Sequence, residues 1–556
     1  MIIKNFILIL FTTTIMFTSN TQGQFQRNAF INGKIYTVNK KKPFAQAVIT
    51  EGNKILFVGT NTEAKKYINR ETFVTDLNGK LMLPGFIDGH AHFTSGGFYL
   101  LGLDLSNAKS KEEFKNILKE YVSTRKGRWI TGGNWDHELW KVKEIPTKEL
   151  IDDFTKETPV LIRRYDGHMG LANSYALKLA RITKETKSPV GGLIVKDKKT
   201  GKPTGILKDN AMDLVSSLIP EHSHQEYIEA VEASLKYARK LGVTTVEDIT
   251  FHNDLRIYQE LEKEGRLTCR LYTRLPIDDY KNLVSKGIQY NFGSDKIQLG
   301  SLKAYADGSL GSTTAWFFEK YNQDTTTYGL PNDIIQDGRF KKWAFEADKN
   351  KLQLSVHAIG NRANAYTLDV FSEIKSKNPT WDRRFRIEHA QHLRKEDISR
   401  FKEIGVIASM QPEHLLDDGI WAAKRIGDKR AKLTHLYKSL IDAGAVVAFG
   451  TDWPVVDLNP MLGLYAAVTR RTDDGKNPNG WLPEQKLTIE QAIKCYTING
   501  AYAAFQENIK GSIEIGKLAD MVILSDDILT IDPVKIKDVK VDMTIFDGKI
   551  IYTREI

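Results

Sequence analysis

The sequence predicts an α/β protein whose main domain is a (β/α)8 TIM barrel, joined to a small β-sandwich domain formed from both chain ends and to an inserted lid subdomain. Eight short apolar runs alternate with helix-length segments along the middle of the chain, which is the pattern of parallel βα units closing into a barrel. The two ends have a different, hairpin-rich texture. With 556 residues, 41% of them hydrophobic, the chain is long enough for more than one domain.

The β-sandwich is predicted from residues 24–80 and 505–556. In the first segment, β-branched runs are separated by Asn-Gly and Gly-Asn turns at 32–33 and 52–53, and the run 543–552 near the end contains Asp-Gly. Such dipeptides between apolar runs are strong hairpin signals. Because both segments share this texture, we expect them to form one domain.

The barrel is predicted from residues 81–504. Its eight strand candidates are 81–87, 243–249, 267–275, 297–305, 352–356, 385–387, 406–410 and 446–449. Helical patterns lie between them, for example at 225–241 and 488–497. Active sites of such barrels collect at the C-terminal ends of the strands, so the residues that end each run are the first candidates for chemistry.

An insertion is predicted at about 105–221. Roughly 210 residues separate His92 from Lys303, whereas three βα units need only about 100–130. These extra residues form an insertion that leaves the barrel just after its first strand. We interpret it as a lid over the catalytic mouth, with a remote subdomain as the alternative.

The N-terminal residues 1–23 have the pattern of a secretory signal peptide: Lys4, an apolar stretch at 6–17, then small and polar residues. The stretch is short for a membrane span. We therefore expect export to the periplasm or beyond, with no stable membrane insertion after cleavage; an uncleaved anchor is the alternative.

Charge and cysteine content argue against a nucleic-acid-binding protein and against a fold held together by disulfides. The net charge of +10 is dispersed over short clusters broken by acidic residues, and a nucleic-acid partner would need a basic stripe interleaved with aromatic residues. The two cysteines, Cys269 and Cys495, do not make a disulfide framework. No nucleic-acid partner is therefore expected.

The first barrel run ends in His90-Ala-His92. Alternation along an extended chain places both imidazoles on the same side. Neutral imidazole is a good ligand for zinc and similar metals, and two imidazoles from one strand end make a chelating pair.

Four further ligand-type residues lie at the C-terminal ends of other predicted strands: Lys303, His357, His389 and Asp452. Each of them alone is more often a structural group. Because the C-terminal ends of barrel strands meet at one face, all six side chains are predicted to converge on one point.

These motifs resemble the amidohydrolase superfamily, specifically the group similar to N-substituted formamide deformylases. The resemblance covers essentially the whole chain after the signal segment. The stretches that carry it are 84–92 (PGFIDGHAH), 303–312 (KAYADGSLGS), 357–360 (HAIG), 386–390 (RIEHA), 450–454 (GTDWP) and 516–522 (GKLADMV).

The resemblance implies one or two divalent metal ions, zinc being expected, held by His90, His92, Lys303, His357, His389 and Asp452. Lys303 would be carboxylated on its amine. An ammonium beside a dication would be repelled, so Lys303 can ligate only as a neutral amine or as a carbamate anion. A one-metal site with a spectator Lys303 is the alternative.

The predicted reaction is hydrolysis of a non-peptide carbon–nitrogen bond in a small-molecule amide, an N-acyl or N-formyl amine, by metal-activated hydroxide. Asp452 is the predicted general base and then the proton donor to the leaving nitrogen. His389 is either a ligand or a polariser of the carbonyl group. The oligomeric state is left open, with a homodimer as one option.

The resemblance also suggests pocket positions. They are Trp135, Asp136, His168 and Asn173 in the insertion, and Ser309, Gln411 and Trp453 near strand ends. The other histidines, His414 among them, have no assigned role.

Two other functions compete with this prediction. A metal-dependent deaminase of the same superfamily typically has Glu three residues after the fifth-strand histidine, where this chain has Gly360. A non-catalytic, amidohydrolase-like binding protein would typically lack metal ligands, whereas all six positions are filled here.

Overall fold

The computed structural model of the chain describes residues 26–555, apart from 165–168, 190–191, 210, 252 and 312. The predicted signal segment at 1–23 and His168 therefore lie outside the described residues. Within the described part of the chain, no helix has the length and apolar character that a membrane crossing requires.

The central sheet is a barrel of eight parallel strands, which confirms the predicted fold. Its strands in chain order are Phe86–Ala91, Val243–Ile249, Arg270–Pro276, Ile297–Tyr305, Gln353–Ala358, Arg386–His389, Ile407–Met410 and Val447–Phe449. Each strand pairs in parallel with the next in chain order. The first and eighth strands meet at their C-terminal ends, where Ala91 bridges Trp453 and Asp452 N donates to the carbonyl of His90 at 2.6 Å.

Helices surround the strands. The main ones are Phe93–Leu101, His224–Lys240, Asp254–Lys263, Tyr280–Ser285, Arg339–Lys349, Asn361–Lys377, Ile398–Ile404, His414–Ile426, Tyr437–Asp442, Pro460–Thr469, Ile489–Cys495 and Ile498–Ala503. Several begin with side-chain caps: Ser223 and Glu226 form a capping box at one, and Thr488 and Gln491 at another. Such boxes satisfy backbone N–H groups that the helix leaves unpaired.

The apolar run 81–87, predicted as one barrel strand, is divided at Gly85. Leu81–Pro84 pairs in the sheet of the small domain, and Phe86–Ala91 is the first barrel strand. A Cβ atom at residue 85 would lie 2.2 Å from Oγ1 of Thr244. The close approach of the second barrel strand therefore requires glycine where the chain passes between the two domains.

Both chain ends form the small β domain. One sheet contains Arg27–Ile31, Ala47–Glu51, Lys54–Gly59 and Phe73–Asp76; the other contains Lys34–Tyr36, Phe44–Ala45, Leu81–Pro84, Met521–Leu524, Val541–Phe546 and Lys549–Thr553. Phe30 and Val48 of the first sheet pack with Met82, Met521 and Ile545 of the second in one buried core. The C-terminal strand Met521–Leu524 pairs directly with Leu81–Pro84.

The insertion has its own six-stranded sheet. Its strands are Leu103–Asp104, Gly132–Trp135, Leu161–Arg164, Met169–Ala172, Gly192–Lys196 and Pro203–Asp209, with helices Lys111–Ser123, Ser174–Leu179 and Asp213–Ser216. Phe114, Leu118, Trp135, Trp140 and Ile162 belong to its separate core. The segment leaves the barrel after Phe93–Leu101 and returns before His224–Lys240.

Candidate metal centre and active site

The six predicted ligands come together at the C-terminal mouth of the barrel. They are His90 and His92 from the end of the first strand, Lys303 from the fourth, His357 from the fifth, His389 from the sixth and Asp452 from just after the eighth. Oδ1 of Asp452 lies 3.4 Å from Nε2 of His90 and 3.2 Å from Nε2 of His92. The Nζ atom of Lys303 is 3.3 Å from Nε2 of His90. The ring of His389 lies 5.0 Å from that of His90 and 4.5 Å from that of His357, measured between centroids.

Glu388 fixes the orientation of His90. Nδ1 of His90 donates to Oε2 of Glu388, and both side chains are fully buried. The other carboxylate oxygen of Glu388 is 2.8 Å from Nη1 of Arg274 and 3.0 Å from Nε of Arg386. With Nδ1 engaged, Nε2 of His90 is the atom that faces the centre, an arrangement common to metal-binding histidines.

His389 and His357 are held in comparable ways. Nδ1 of His389 donates to Oε1 of Gln411 at 2.7 Å, and Nε2 of His357 donates to the carbonyl of Gly308 at 3.1 Å. His389 therefore has Nε2 and His357 has Nδ1 available for a metal ion.

The backbone is strained at two of the candidate ligands. His389 has φ of 75° and Asp452 has φ of 63°, both in the left-handed region. Residues other than glycine rarely adopt this conformation, and such strain concentrates at functional sites.

Asp88 explains why a carboxylate precedes His90 in the motif at 84–92. It accepts hydrogen bonds from Oγ1 of Thr451 at 2.6 Å and from the backbone N–H of His90 at 3.0 Å. It thereby ties the end of the first strand to the residue preceding Asp452.

The donor set fits a divalent cation. His90, His92 and Asp452 each offer one ligand atom, and these atoms all lie within 4.8 Å of one another. Burial, with the nearby Lys303 amine, lowers the pKa of His90 to about 3 and that of His357 to about 4. Both imidazoles are therefore neutral near pH 7, which is the form that binds metal.

Lys303 is buried among these groups. Burial lowers the pKa of its amine to about 7. Its Nζ atom also lies 4.8 Å from the ring centroid of Tyr305. A substantial fraction of the amine is therefore uncharged at neutral pH, and only this form can react with carbon dioxide to give a carbamate.

Asp452 is ionised at neutral pH. Burial by itself would raise the pKa of Asp452, but the neighbouring His90 and the hydrogen bond from His92 lower it below its ordinary range. The carboxylate can therefore accept a proton.

The predicted pocket residues near the strand ends have different surroundings. Gln411 holds His389, as described. Trp453 is 2% exposed, and its ring packs against Phe93 at 6.1 Å and Tyr237 at 5.9 Å, so it forms a wall behind the site. Ser309 lies in an exposed loop after the fourth strand, where its backbone N–H donates to Oγ1 of Thr314 at 3.1 Å.

Three predicted pocket residues in the insertion make contacts within the insertion itself. Trp135 is fully buried and its indole N–H donates to the carbonyl of Ile162 at 3.1 Å. Asn173 caps the helix Ser174–Leu179 and binds the backbone of Val160, and Asp136 pairs with Arg164 at 2.8 Å. These contacts lie within the insertion, and the binding roles of the three residues stay predictions.

His414 is a site residue to which the sequence assigned no role. It begins the helix that follows the seventh strand, and its ring stacks on His389 with centroids 6.3 Å apart and planes 15° apart. Its Nε2 atom is buried and has no hydrogen-bond partner among the described residues. The available signal was its position, four residues after the strand Ile407–Met410.

Position 360 has no room for a residue larger than glycine. A Cβ atom there would lie 2.1 Å from the carbonyl oxygen of Trp316, and its N–H donates to Asp307 at 2.8 Å. The fold therefore leaves no space at this position for the glutamate that is typical of deaminases.

Comparison with known proteins agrees with this geometry. Residues 74–552 match the amidohydrolase family. The chain belongs to the amidohydrolase family. It is thus a metal-dependent hydrolase of that superfamily, as the sequence motifs predicted.

Individual relatives span nearly the whole chain. The Arabidopsis thaliana protein LONG AFTER FAR-RED 3 is 38% identical over 511 residues, 89% of this chain and 86% of that protein. The N-substituted formamide deformylase of Arthrobacter pascens is 26% identical over 542 residues, 94% of this chain and 98% of that enzyme. The crystal structure of an uncharacterized metal-dependent hydrolase from Pyrococcus horikoshii superposes with a TM-score of 0.76 at 28% identity, covering 91% of this chain and 99% of that one.

Proposed function

We propose that this amidohydrolase cleaves the carbon–nitrogen bond of a small non-peptide amide, an N-acyl or N-formyl amine. The observation that carries the proposal is the position of the Asp452 carboxylate, 3.2 and 3.4 Å from Nε2 of His92 and His90, inside a buried cluster of further ligand-type groups. The Arthrobacter pascens relative, an N-substituted formamide deformylase, supports the same bond type.

Zinc is the cation that we propose for this centre, as one or two ions. When bound, a divalent cation lowers the pKa of water towards neutrality and polarises a carbonyl group. His90, His92, His357, His389 and Asp452 would hold it, because their free nitrogen and oxygen atoms face one another. We propose that Lys303 joins them as a carbamate.

Asp452 moves the proton in the proposed reaction. The attacking water forms a bond to the carbonyl carbon and gives a proton to the carboxylate of Asp452. The carbon–nitrogen bond then breaks, and Asp452 returns that proton to the leaving nitrogen, so that acid and amine are the products. Its ionised state suits the first of these transfers.

His414 is the side chain that we propose as the additional polariser. Its unpaired Nε2 atom lies on the ring that stacks against His389. An N–H group at this position can donate a hydrogen bond to the carbonyl oxygen as negative charge develops there.

Metal analysis and an amide screen test the proposal. The purified chain is expected to contain one or two zinc ions and to hydrolyse N-acyl or N-formyl amines. Asp452→Asn should retain metal yet lose activity by roughly 10²–10⁴-fold, whereas Asp442→Asn, at an exposed surface pair with Lys438, should change neither. A metal-free chain that hydrolyses no amide would refute the proposal.

Lys303→Ala tests the carbamate. We expect lower activity and loss of a ¹³C signal that labelled bicarbonate introduces into the wild-type protein. Lys296→Ala serves as the control, since Lys296 pairs with Asp547 in a partly exposed position. A zinc content near one per chain with unchanged activity of Lys303→Ala would leave Lys303 as a spectator.

We also propose that the protein is exported, on the strength of the signal-like segment at 1–23. Cell fractionation and N-terminal sequencing of the mature protein test this. Recovery of the full-length chain in the cytoplasm would refute it.

A further inference from the structure

A cavity of about 320 Å³ opens beside Lys303, and none of the predicted pocket residues lines it. It lies among the loops and strand ends of the second, third and fourth barrel strands. Its walls include the apolar side chains of Ile249, Phe251, Ile277, Ile334 and Trp343.

The lining changes character from the outside inwards. Asp278, Asp333 and Arg339 are exposed side chains. The buried groups at the inner end are Arg274 and Lys303. Charged groups therefore stand at both ends, and mostly apolar walls lie between them.

The apolar walls are held in place by their neighbours. Trp343 lies 6.4 Å from the ring of Tyr280 and 5.4 Å below the guanidinium of Arg339. Phe251 stacks on His92 with centroids 6.2 Å apart and planes 11° apart. Because Phe251 contacts both the cavity and a metal-ligand candidate, a group in the cavity would lie next to the reacting bond.

We propose that this cavity binds an apolar ring or a branched alkyl group attached to the scissile amide, and so sets the substrate class. The inference rests on the proposed function, since it places the amide at the metal centre. An engineered cavity of roughly 150 Å³ binds benzene, so the space here accepts a six-membered ring. Ligand pockets of this kind are largely apolar with a few polar groups at the reacting end.

Substrate comparison tests the cavity. Wild-type enzyme loaded with zinc is given N-methylformamide and N-cyclohexylformamide. The cyclohexyl compound should have a kcat/KM higher by at least roughly tenfold, as one or more buried methylene groups can provide.

A cavity-filling variant supplies the matched comparison. Ile334→Phe should lower kcat/KM for N-cyclohexylformamide by roughly tenfold or more while changing that for N-methylformamide little. Ile550→Phe is the control, because Ile550 is 43% exposed on a strand of the small β domain. Thermal melting establishes whether each variant is folded. If Ile334→Phe is unfolded, Trp343→Ala, which enlarges the cavity, replaces it. Trp343→Ala should weaken the preference of the enzyme for the cyclohexyl compound.

The outcomes separate the two proposals. If the wild-type enzyme hydrolyses both amides equally well, or if Ile334→Phe impairs both equally, the cavity does not select the substrate and the inference is overturned while the proposed function stands. If neither these amides nor any of the amide screen is hydrolysed, the proposed function itself fails and the inference fails with it.

Discussion

Glu388 connects the candidate metal centre to the charged interior of the barrel. Its carboxylate contacts His90 on one side and the guanidinium groups of Arg274 and Arg386 on the other, all of them fully buried. Burying two arginines is unfavourable unless their charges are compensated. Glu388 thus orients a ligand and, together with the buried Glu247 beside Arg386, compensates both cations.

Replacing Glu388 by Gln is expected to weaken metal binding by roughly 10–100-fold, because a neutral amide oxygen is a weaker acceptor for Nδ1–H of His90 than the carboxylate that orients it. It should also destabilise the fold by about 3–5 kcal/mol, since the buried guanidinium of Arg274 loses its counter-charge, whereas Arg386 keeps Glu247. Metal content after dialysis and thermal melting measure the two effects. Glu396→Gln, at an exposed pair with Arg394, is the control; wild-type metal retention in Glu388→Gln would contradict the orienting role.

Replacing His414 by Ala is expected to lower kcat by roughly 10²–10³-fold, the range for loss of one hydrogen-bond donor to a developing oxyanion. Metal content should stay unchanged, because His414 stacks on a ligand candidate without being one. Steady-state kinetics with metal analysis distinguish this from a loss of zinc. An unchanged kcat would show that His414 does not polarise the carbonyl group.

At the scale of the elements, the loops that follow the fourth and fifth barrel strands are packed directly against each other. Asp307 accepts hydrogen bonds from the backbone N–H groups of Trp316, Ile359 and Gly360. Gly360 has no room for a side chain beside Trp316. This junction holds His357 beside the site.

Gly360→Ala is therefore expected to destabilise the protein by about 1–3 kcal/mol through overpacking. Gly311→Ala is a matched control in the same region, because a Cβ atom there has no neighbour closer than 3.9 Å. Urea unfolding of the two variants gives the comparison. Equal stability would show that the loop after the fourth strand moves aside easily.

The sequence predicted these elements unequally well. The eight barrel strands were visible because buried parallel strands are continuous apolar runs, and the ligands were visible because His, Lys and Asp end those runs. The division at Gly85 was not visible, since both strands that meet there are apolar. The cavity beside Lys303 was hidden because its walls come from three separate loops.

The roles of the ligand partners were also beyond sequence analysis: Gln411 was predicted only as a pocket position, and Glu388 only as part of the motif at 386–390. Glu388 and Gln411 are ordinary polar residues until strand register places them beside particular histidines. The pairing of His357 with Glu388 across neighbouring strands, for example, depends on a register that a single strand does not encode. Trp135 and Asn173 were placed by resemblance alone, and only packing shows that they build the core of the insertion.

At the scale of the whole molecule, ion pairs join the barrel to the small β domain. Arg270, on the third barrel strand, contacts Asp520 at 2.6 Å and Asp547 at 3.0 Å. Lys510 lies buried near this junction and donates to Oγ1 of Thr245 at 3.1 Å. Burial, with repulsion from Arg270, lowers the pKa of Lys510 to about 7 from its ordinary value of 10.5.

This shift predicts a pH-dependent contribution to stability. Between about pH 7 and 10.5 the unfolded chain keeps the Lys510 proton and the folded chain has lost it, so this contribution to stability rises with pH across that window. Lys510→Met should remove the rise and stabilise the protein at pH 7 by about 1–4 kcal/mol. Urea unfolding at several pH values measures the free energy of unfolding of the wild type and of both variants, with Lys537→Met at an exposed position as the control. If stability rises with pH in Lys510→Met as steeply as in the wild type, the prediction is contradicted.

The pairing of Leu81–Pro84 with Met521–Leu524 has a consequence for biosynthesis. A ribosome releases the N-terminal strands long before the C-terminal ones. Until the final segment emerges, Leu81–Pro84 can pair with Lys34–Tyr36 on one edge, but its other edge has no native partner. Unpaired strand edges favour aggregation and proteolysis. Chains whose synthesis stops early are therefore expected to be degraded, which confines the finished hydrolase to complete translation products.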